Sequence, residues 1–274
     1  MGIFTVDSDK CKRDGICVAE CPMSIIEMKG KDEFPSPVDG AQALCINCGH
    51  CVAVCPHGAI SLATMKAEEC LPVRNDLLPG PDQVEHFLQA RRSIRCYKNQ
   101  AVDWADLAKL IDIARYSPSG HNAQPVHWLV IEDKDEVQRL SGLVVDWMRY
   151  VMKNNQGLAH SLHLDLVVSS WENGEDRVCR NAPHVILAHA AKTHFASQSA
   201  CTIALTYLEL AASSMGLGAC WAGYFGAAAA VFPPLIQALN VPEGHQVFGA
   251  MMIGYPRYQY QRIPMRNKPV VTWR

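Results

Sequence analysis

Two short runs of cysteine near the N-terminus constrain this chain more than any other feature. Residues 45–56 read CINCGHCVAVCP, which is the spacing C-x2-C-x2-C-x3-C-P. Residues 11–22 read CKRDGICVAECP and repeat the later run at an offset of 34 positions, except that Asp14 stands opposite Cys48. Thiolates at this spacing surround an iron–sulfur cluster, and the fourth cysteine of each run binds the other cluster when two are present. The sequence therefore predicts an N-terminal domain with two iron–sulfur clusters.

This exchange of the fourth cysteine divides the predicted ligands between two [4Fe-4S] clusters of a ferredoxin-like domain. The second cluster would be held by four thiolates, from Cys21, Cys45, Cys48 and Cys51. The first would be held by three thiolates and one carboxylate, from Cys11, Cys17, Cys55 and Asp14. Two interpretations of Asp14 stay open. It either leaves an Asp-ligated or [3Fe-4S] cluster with a shifted potential, or it is a solvated turn residue before Gly15.

The twelve cysteines also admit zinc or disulfides. A disulfide scaffold fits poorly, because the chain is large and begins without the basic and apolar segments of a signal peptide. Structural zinc sites usually use two separated pairs of ligands rather than four cysteines within eleven positions. Iron and sulfide are therefore favoured over zinc, and they imply a reducing, cytoplasmic location.

Charge and hydropathy exclude two classes of partner. The formal net charge of -2 predicts no affinity for nucleic acid. Residues 210–242 carry no charge, but serines, glycines and two prolines interrupt them, so they do not make a membrane span. This stretch instead predicts the end of a buried helix and then a glycine-rich loop.

The chain divides into a cluster domain at 1–66, a linker with several prolines at 67–82 and a second domain at 83–274. Strands of the second domain are predicted from β-branched and apolar runs, at 126–132, 184–191 and 246–254. Helices are predicted from apolar periodicity, at 104–114 after the N-cap Asp103, at 137–150 and at 199–215. Helix 104–114 would bury Trp104, Leu107 and Leu110 on one face. Strands alternating with helices predict an α+β domain, in which residues 142–175 form a lid or an insertion.

Four motifs follow one another in this second domain. They are RRSIR at 91–95, PSGHNAQP at 118–125, GLGACWAG at 216–223 and RIP at 262–264. Arginines bind phosphate through bidentate hydrogen bonds, and the amides of 118–125 could hydrogen-bond a heteroaromatic ring. Each motif alone is weak. In this order they resemble the nitroreductase family of FMN-dependent enzymes, and with the cluster domain the chain resembles ferredoxin–nitroreductase fusions.

The resemblance implies an α+β sandwich that forms an intertwined homodimer with FMN at the interface. Contacts to the phosphate, ribityl chain or ring would come from Arg91, Arg92, Ser93 and Arg95, and from Arg262 and Arg266 in the tail. The other subunit would contribute Pro118, Ser119, Gly120, Asn122 and Gln124. The backbone beside the ring would be that of Trp221, Ala222 and Gly223.

The expected function is two-electron reduction of a small organic acceptor, such as a nitroaromatic or a quinone. Its electrons would come through the clusters from ferredoxin, or directly from NAD(P)H. Related flavin chemistry (dehalogenation, ene reduction or flavin breakdown), an electron relay to a partner protein, and a sensor without flavin remain alternatives. No catalytic residue is assigned, since His121 is as compatible with a structural role as with proton donation.

Overall fold

The computed structural model describes residues 2–274, which form two compact units. The first unit runs up to Leu78 and includes His121–Ala123, and the second comprises Pro79–Gly120 and Gln124–Arg274. The division after Leu78 falls inside the predicted linker at 67–82. That segment contains the short 3-10 turns Ala67–Glu69 and Asn75–Leu77.

The first unit is built as two related halves. Its strands form two antiparallel pairs, β1 (Phe4–Val6) with β4 (Ile60–Leu62) and β2 (Ile26–Glu27) with β3 (Ser36–Pro37). Its helices are α1 (Ile16–Glu20), α2 (Ala41–Leu44) and α3 (His50–Val54). Both α1 and α3 follow a glycine in the left-handed region, Gly15 and Gly49, each at φ 73°. The sequence repeat is therefore a repeat of backbone conformation.

Gly49 shows why one of these positions takes glycine. Its positive φ is open to glycine at little cost. A Cβ there would also lie 2.7 Å from the Sδ atom of Met65. The turn that begins α3 therefore depends on the absence of a side chain.

One antiparallel sheet organises the second unit. Within residues 2–274 it has four strands, in the spatial order β5-β6-β8-β7. Their bounds are β5 (His127–Ile131), β6 (His184–Ala191), β7 (Gly218–Trp221) and β8 (His245–Gly254). Every pair of neighbours is antiparallel.

Helices cover both faces of this sheet. The helices of this unit are α4 (Pro81–Ala90), α5 (Trp104–Ala114), α6 (Lys134–Asn154), α7 (Gln156–Ser161), α8 (Leu164–Glu172), α9 (Ser197–Ser214), α10 (Gly223–Val231) and α11 (Pro233–Leu239). Successive residues of β6 enter different cores: Leu187 packs with α6, α8 and α10, and Ile186 packs with α5 and α9. Burial on both faces explains the unalternating apolar sequence of this strand. The predicted α+β fold is therefore observed.

Two details of the predicted elements are wrong. Trp104 is the first residue of α5 and is 70% exposed, so the buried face of that helix starts at Leu107. The predicted glycine-rich loop at 216–223 contains strand β7 and opens α10. Pairing of β7 with β8 decides this, because tertiary context outweighs the weak strand propensity of glycine and alanine.

Residues 142–175 lie mostly in α6, α7 and α8. Val144, Met148 and Leu164 are fully buried in the core on one face of the sheet. This segment is therefore a layer of the domain core. No helix within residues 2–274 is long and apolar enough to cross a membrane.

His184 gives the second unit a pH-dependent stability. Its Nε2 accepts a hydrogen bond from the Val102 N–H at 2.8 Å, and its Nδ1 lies 2.7 Å from the carbonyl oxygen of Glu132, so the ring is neutral. Burial lowers the pKa of His184 below its usual value. As the pH falls below about 6.5, the unfolded chain takes up a proton that the folded chain does not, and stability falls.

We expect His184→Gln to lower the free energy of unfolding at pH 7 by about 2 kcal/mol, because one buried partner loses its hydrogen bond. The variant should also lose part of the decline in stability between about pH 7 and pH 5. Denaturant unfolding at several pH values measures both effects, with the exposed His160→Gln as the control. Equal pH slopes in wild type and His184→Gln would contradict the assignment.

Candidate functional site

The first unit contains a cavity with four thiols in its wall. They belong to Cys21, Cys45, Cys48 and Cys51, the four residues predicted to hold the second cluster. Cys21 directly follows α1, and Cys45 directly follows α2, so helix ends position them. The other side chains in the wall are apolar, including Phe4 and Ile26. Such a wall limits access of water to anything held by the thiols.

A second cavity brings together the residues predicted for the first cluster. Cys11, Asp14, Cys17 and Cys55 line it, with His57 beside them. The Sγ of Cys55 accepts a hydrogen bond from the backbone N–H of Ala59 at 3.3 Å. Hydrogen bonds to cluster sulfurs are one of the factors that set a reduction potential. The Oδ1 of Asp14 accepts one from the N–H of Ile16 at 3.2 Å, so its carboxylate helps to hold the turn before α1.

The thiols in each cavity are near enough to influence one another. Burial, with a smaller contribution from the neighbouring Cys48 and Cys21, raises the pKa of Cys51 to about 11. Burial likewise raises the pKa of Cys17, and Cys11 and Cys55 add to the effect. Thiols with a raised pKa keep their protons at neutral pH. A bound metal cluster would replace those protons, because its positive charge stabilises the thiolate form.

The donor sets fit multi-iron clusters. Among residues 2–274, no three His, Cys, Asp or Glu side chains converge closely enough to hold a single ion as they stand. The thiols instead surround a space, which is how the ligands of a [4Fe-4S] cluster are arranged. Each cavity also takes its fourth cysteine from the other run, as the spacing predicts.

Asp14→Cys should complete the thiolate set of the first cavity. If the carboxylate leaves one iron weakly held, we expect the wild-type protein to contain about one iron fewer than the variant after oxidation by air. Anaerobic iron and sulfide counts, with EPR of the oxidised protein, measure the difference. An equal iron content and an equal potential for the first cluster in both proteins would assign Asp14 to the turn alone.

In the second unit, residues 91–95 lie beside strand β7. The N–H of Ile94 donates to the carbonyl oxygen of Ala219 at 2.9 Å. A Cβ on Gly218 would lie 2.7 Å from the Cγ2 of Ile94, so only glycine permits this approach. Two of the four sequence motifs are thereby brought into contact.

The two adjacent arginines of this segment have different surroundings. Arg91 donates from Nη1 to the Oε1 of Glu209 at 2.8 Å, and Glu209 is only 7% exposed. Arg92 has a buried Nε without a hydrogen-bond partner among residues 2–274, although another of its nitrogens contacts the carbonyl oxygen of Gln89. A buried guanidinium N–H without a partner is costly, so an acceptor is expected there. Arg92 therefore fits an anionic group, and the charge of Arg91 is already balanced.

Both arginines line a groove of about 920 Å³ in the second unit. Its other side is formed by aromatic residues that follow β8, Tyr255, Tyr258 and Tyr260. Lys98 adds a further positive charge. The volume of the groove is close to the upper end of the range for common ligand pockets. Phosphate oxygens and an aromatic ring both find suitable partners in such a lining.

The remaining residues of the 91–95 and 216–223 motifs are close to this segment in sequence and space. Arg95 is exposed, and its Nη1 lies 3.4 Å from the carbonyl oxygen of Ser93. Trp221 is 36% exposed at the end of β7. The N–H of Ala222 donates to the carbonyl oxygen of Ala250 at 2.8 Å. Gly223 is the first residue of α10.

Residues of the 118–125 motif contact one another and also more distant segments of the chain. The Oγ of Ser119 accepts from the N–H of Gln124 at 2.9 Å, and both residues line a small hollow of about 130 Å³. Pro118 is exposed, and a Cβ on Gly120 would lie 3.0 Å from Phe195. Asn122 belongs to the first unit, where its Nδ2 donates to the carbonyl oxygen of Asn47 at 2.9 Å.

Of the residues predicted to bind FMN, Arg91 and Arg92 line the groove of the second unit. The groove that contains Arg91 and Arg92 includes none of residues 118–125. Arg262 and Arg266 are exposed in a tail that has no helix or strand among its described residues.

Sequence reasoning missed Glu209 and Lys98. Glu209 is the last charge before the uncharged stretch 210–242, and an acidic residue so placed on an apolar helix is a signal for a buried ion pair. Lys98 follows the 91–95 motif by three positions, but only the fold turns it toward the groove.

Comparison with known proteins decides the family. The profile described as "Nitroreductase family" matches residues 88–255, which is more than half of the chain. The chain belongs to the nitroreductase family. The profile "4Fe-4S dicluster domain" matches residues 9–60 of this family member. The predicted family and the predicted N-terminal domain are confirmed.

Several curated proteins of the nitroreductase family are similar to the chain. A "Putative NADH dehydrogenase/NAD(P)H nitroreductase" of Archaeoglobus fulgidus is 25% identical over 171 residues, which cover 62% of this chain and 84% of the relative. An "Iodotyrosine deiodinase" of Thermotoga neapolitana is 24% identical over 187 residues, which cover 67% and 93%.

Solved structures of nitroreductases show the same fold. A Desulfitobacterium hafniense nitroreductase with bound FMN has a TM-score of 0.56 at 22% identity, covering 69% of this chain and 96% of its own. An iodotyrosine deiodinase bound to FMN and 3-iodo-L-tyrosine has a TM-score of 0.53 at 23% identity, covering 70% and 98%. The predicted α+β nitroreductase-like fold is confirmed.

Proposed function

We propose that this chain is an FMN-dependent oxidoreductase that its own iron–sulfur clusters supply with electrons, and that it reduces a small organic acceptor in two-electron steps. Nitroaromatics and quinones are the acceptor classes we favour. The observation that carries the proposal is the presence of both cofactor sites on one chain. One cavity is lined by four cysteines and the other by three cysteines with Asp14, and the second unit has a buried arginine nitrogen in need of an anionic acceptor.

Residues of the second unit fit FMN. FMN, when bound, supplies one-electron and two-electron chemistry in a single cofactor. Arg92 would donate to its phosphate, and Arg95 and Ser93 would bind the phosphate, the ribityl chain or the ring. Ala222 and Gly223 carry little or no side chain, so the backbone after Trp221 could approach the ring closely.

A homodimer would complete this site. Residues 118–124 and the arginines of the tail, Arg262 and Arg266, would then meet the 91–95 segment of another copy. The exposure of the tail supports this arrangement, because Met265, Val270 and Trp273 are almost fully exposed in one chain. Apolar side chains in such number usually mark a surface that another chain covers. A cytoplasmic location suits a protein with eight predicted cluster ligands.

The decisive experiment is anaerobic purification followed by cofactor counts and turnover. We expect bound FMN, iron and sulfide. We also expect reduced ferredoxin to support reduction of a nitroaromatic or a quinone at a rate that depends on the clusters. A colourless protein, or zinc in place of iron, would overturn the proposal. FMN and clusters without turnover of any small acceptor would favour the electron relay.

Reductive dehalogenation is a second candidate, because relatives from Thermotoga neapolitana and Nematostella vectensis are iodotyrosine deiodinases. Both candidates use the same cofactors, so only the acceptor separates them. Release of iodide from 3-iodotyrosine by the reduced protein, faster than reduction of nitroaromatics, would favour dehalogenation. Absence of iodide release would remove it.

A further inference from the structure

The loop between Cys45 and Cys48 accepts hydrogen bonds from a residue far along the chain. Asn122 donates from Nδ2 to the carbonyl oxygen of Asn47 at 2.9 Å and to that of Ile46 at 3.4 Å. Both carbonyl groups lie between two of the four thiols that line the cavity predicted for the second cluster. The side chain of Asn122 therefore helps to fix two of the predicted ligands of that cluster.

The backbone around Asn122 has an uncommon conformation. His121, Asn122 and Gln124 have positive φ angles of 52°, 52° and 45°. Such angles cost free energy in residues other than glycine, and they persist where surrounding contacts hold them. Hydrogen bonds hold this turn on two sides, since Ser119 accepts from the N–H of Gln124 and Asn122 donates to the loop of the second cluster. Held turns of this kind occur most often in functional segments.

The repeat inside the first unit offers an internal comparison. Asn47 occupies the position that Arg13 has in the first run, 34 residues earlier, and both residues have positive φ, at 51° and 59°. Arg13 is exposed, and its guanidinium lies over the ring of Phe34 at 4.2 Å from the centroid. The two loops therefore share a backbone conformation but differ in what surrounds them.

Charge also distinguishes the two loops. Residues 40–65 contain no Asp, Glu, Lys or Arg, whereas six of the eight residues at 7–14 are charged. Among the latter, Lys10, Lys12 and Arg13 are all exposed. Exposed charges favour encounters with a mobile partner, whereas an uncharged loop can be covered permanently at a smaller desolvation cost. The first loop therefore suits a transient partner, and the second suits a contact within the chain.

Asn122 is also joined through the chain to residues predicted to contact FMN. Gly120 and Gln124 are each two positions away, so their Cα atoms lie within about 7 Å of that of Asn122. His121–Ala123 belong to the first unit, although the residues on either side belong to the second. One short segment therefore carries both a hydrogen bond to the loop of the second cluster and the predicted contacts to the flavin.

We propose, on the basis of the function proposed above, that electrons leave the N-terminal domain through the second cluster, and that Asn122 is the residue that positions the loop of that cluster for the transfer. A reduced ferredoxin would deliver electrons at the charged loop of the first cluster. Each transfer oxidises the second cluster by one electron and reduces the flavin by one. Two such transfers, with two protons from solvent, supply one two-electron reduction of the acceptor.

Asn122→Gly tests this role with little change to the backbone, because glycine adopts a φ of 52° at no steric cost. The full chain is purified anaerobically with its clusters and flavin, and an EPR-monitored redox titration gives the midpoint potential of each cluster. Cys51→Ala identifies which signal belongs to the second cluster. We expect the signal and potential of the second cluster to shift and those of the first to stay, because the lost hydrogen bonds belong to the loop of the second cluster.

Turnover separates the transfer from the flavin site. It is measured with reduced ferredoxin and with dithionite, and the first rate is divided by the second. We expect this ratio to fall about tenfold in Asn122→Gly, as is usual when a residue that orients metal ligands is lost. If Asn122 served FMN binding alone, both rates would fall together. A wild-type ratio with a wild-type potential for the second cluster would therefore overturn the proposal.

Thr64→Val is the matched control, since the Oγ1 of Thr64 donates to the Oδ1 of Asn47 at 2.6 Å. It removes a hydrogen bond from the same loop but leaves the contact with Asn122, so we expect a ratio near that of wild type. A fall as large as in Asn122→Gly would show that any loosening of the loop slows the transfer, and would overturn the role of Asn122. Wild-type protein without FMN would overturn the proposed function instead, and the potential of the second cluster in Asn122→Gly would still decide whether Asn122 positions its loop.

Discussion

Arg92→Gln is expected to weaken FMN binding roughly 100-fold, because a charge-assisted hydrogen bond to the phosphate contributes up to about 3 kcal/mol. The variant should leave the stability of the flavin-free protein nearly unchanged. The Nε of Arg92 is buried without a protein partner, so removing the guanidinium breaks no ion pair among residues 2–274. Glutamine keeps a polar side chain of moderate length but carries no charge.

Arg91→Gln is the matched control, since the two arginines are neighbours in sequence and line the same groove. Here we expect the opposite result: a lower free energy of unfolding, by about 3 kcal/mol, because the buried carboxylate of Glu209 would lose its partner. Restoring neutrality with Arg91→Met and Glu209→Leu together should recover most of this loss.

Two measurements separate these outcomes. Fluorescence quenching of FMN gives the dissociation constant, and denaturant unfolding of flavin-free protein gives the stability. Both arginines were predicted to contact FMN, so the sequence alone expects similar losses of affinity from both variants. If Arg91→Gln weakens FMN as strongly as Arg92→Gln without loss of stability, the ion pair with Glu209 does not persist in the bound protein.

The fold was largely predictable because its signals are periodic or local. Strand β6 is a nearly unalternating run of eight residues, of which six are apolar and seven are buried, and α9 has small and apolar residues around its circumference. Each of these patterns lies within one element, so it can be recognised without knowing which other elements pack against it. Strand β7 was missed because Gly218–Trp221 has weak propensity, and only its pairing with β8 makes it a strand.

The cluster cavities were predictable for a different reason. Iron–sulfur ligands come from a short stretch with fixed spacing, so one loop supplies most of a site. The crossing of Cys21 and Cys55 between sites follows from the duplication. The sequence shows that Asp14 stands where the repeated pattern has a cysteine. It does not show that the carboxylate of Asp14 accepts a hydrogen bond from the N–H of Ile16.

The distinction between Arg91 and Arg92 could not be read from the sequence. It depends on Glu209, which is 118 positions away from Arg91 and reaches it only through the placement of α9. Long-range pairing is where a single sequence carries least information.

Cys51→Ala should remove the second cluster. The side chain lies in a wall with three other thiols, and each of these four thiolates would hold one iron of the second cluster. We expect the iron content to fall by about four per chain, with the first cluster retained. Turnover driven by reduced ferredoxin should fall to background if the clusters supply the electrons, whereas bound FMN should remain.

Cys70→Ala is the control for loss of a thiol as such. Cys70 is exposed, is not among the residues that line either cavity, and its Sγ donates to the carbonyl oxygen of Lys66. Its variant should keep iron, FMN and turnover. Cys48→Ala serves as a second test of the same cluster, because Cys48 is less buried than Cys51 and its replacement disturbs the core less.

An artificial donor that reduces the flavin directly distinguishes a lost input from a lost active site. With dithionite as donor, Cys51→Ala should reduce a quinone at nearly the wild-type rate, since the groove and the 91–95 segment lie in the other unit. Loss of turnover with both donors would mean that the second unit depends on the cluster for more than electrons. Full ferredoxin-driven turnover without the second cluster would show that electrons reach the flavin by another route.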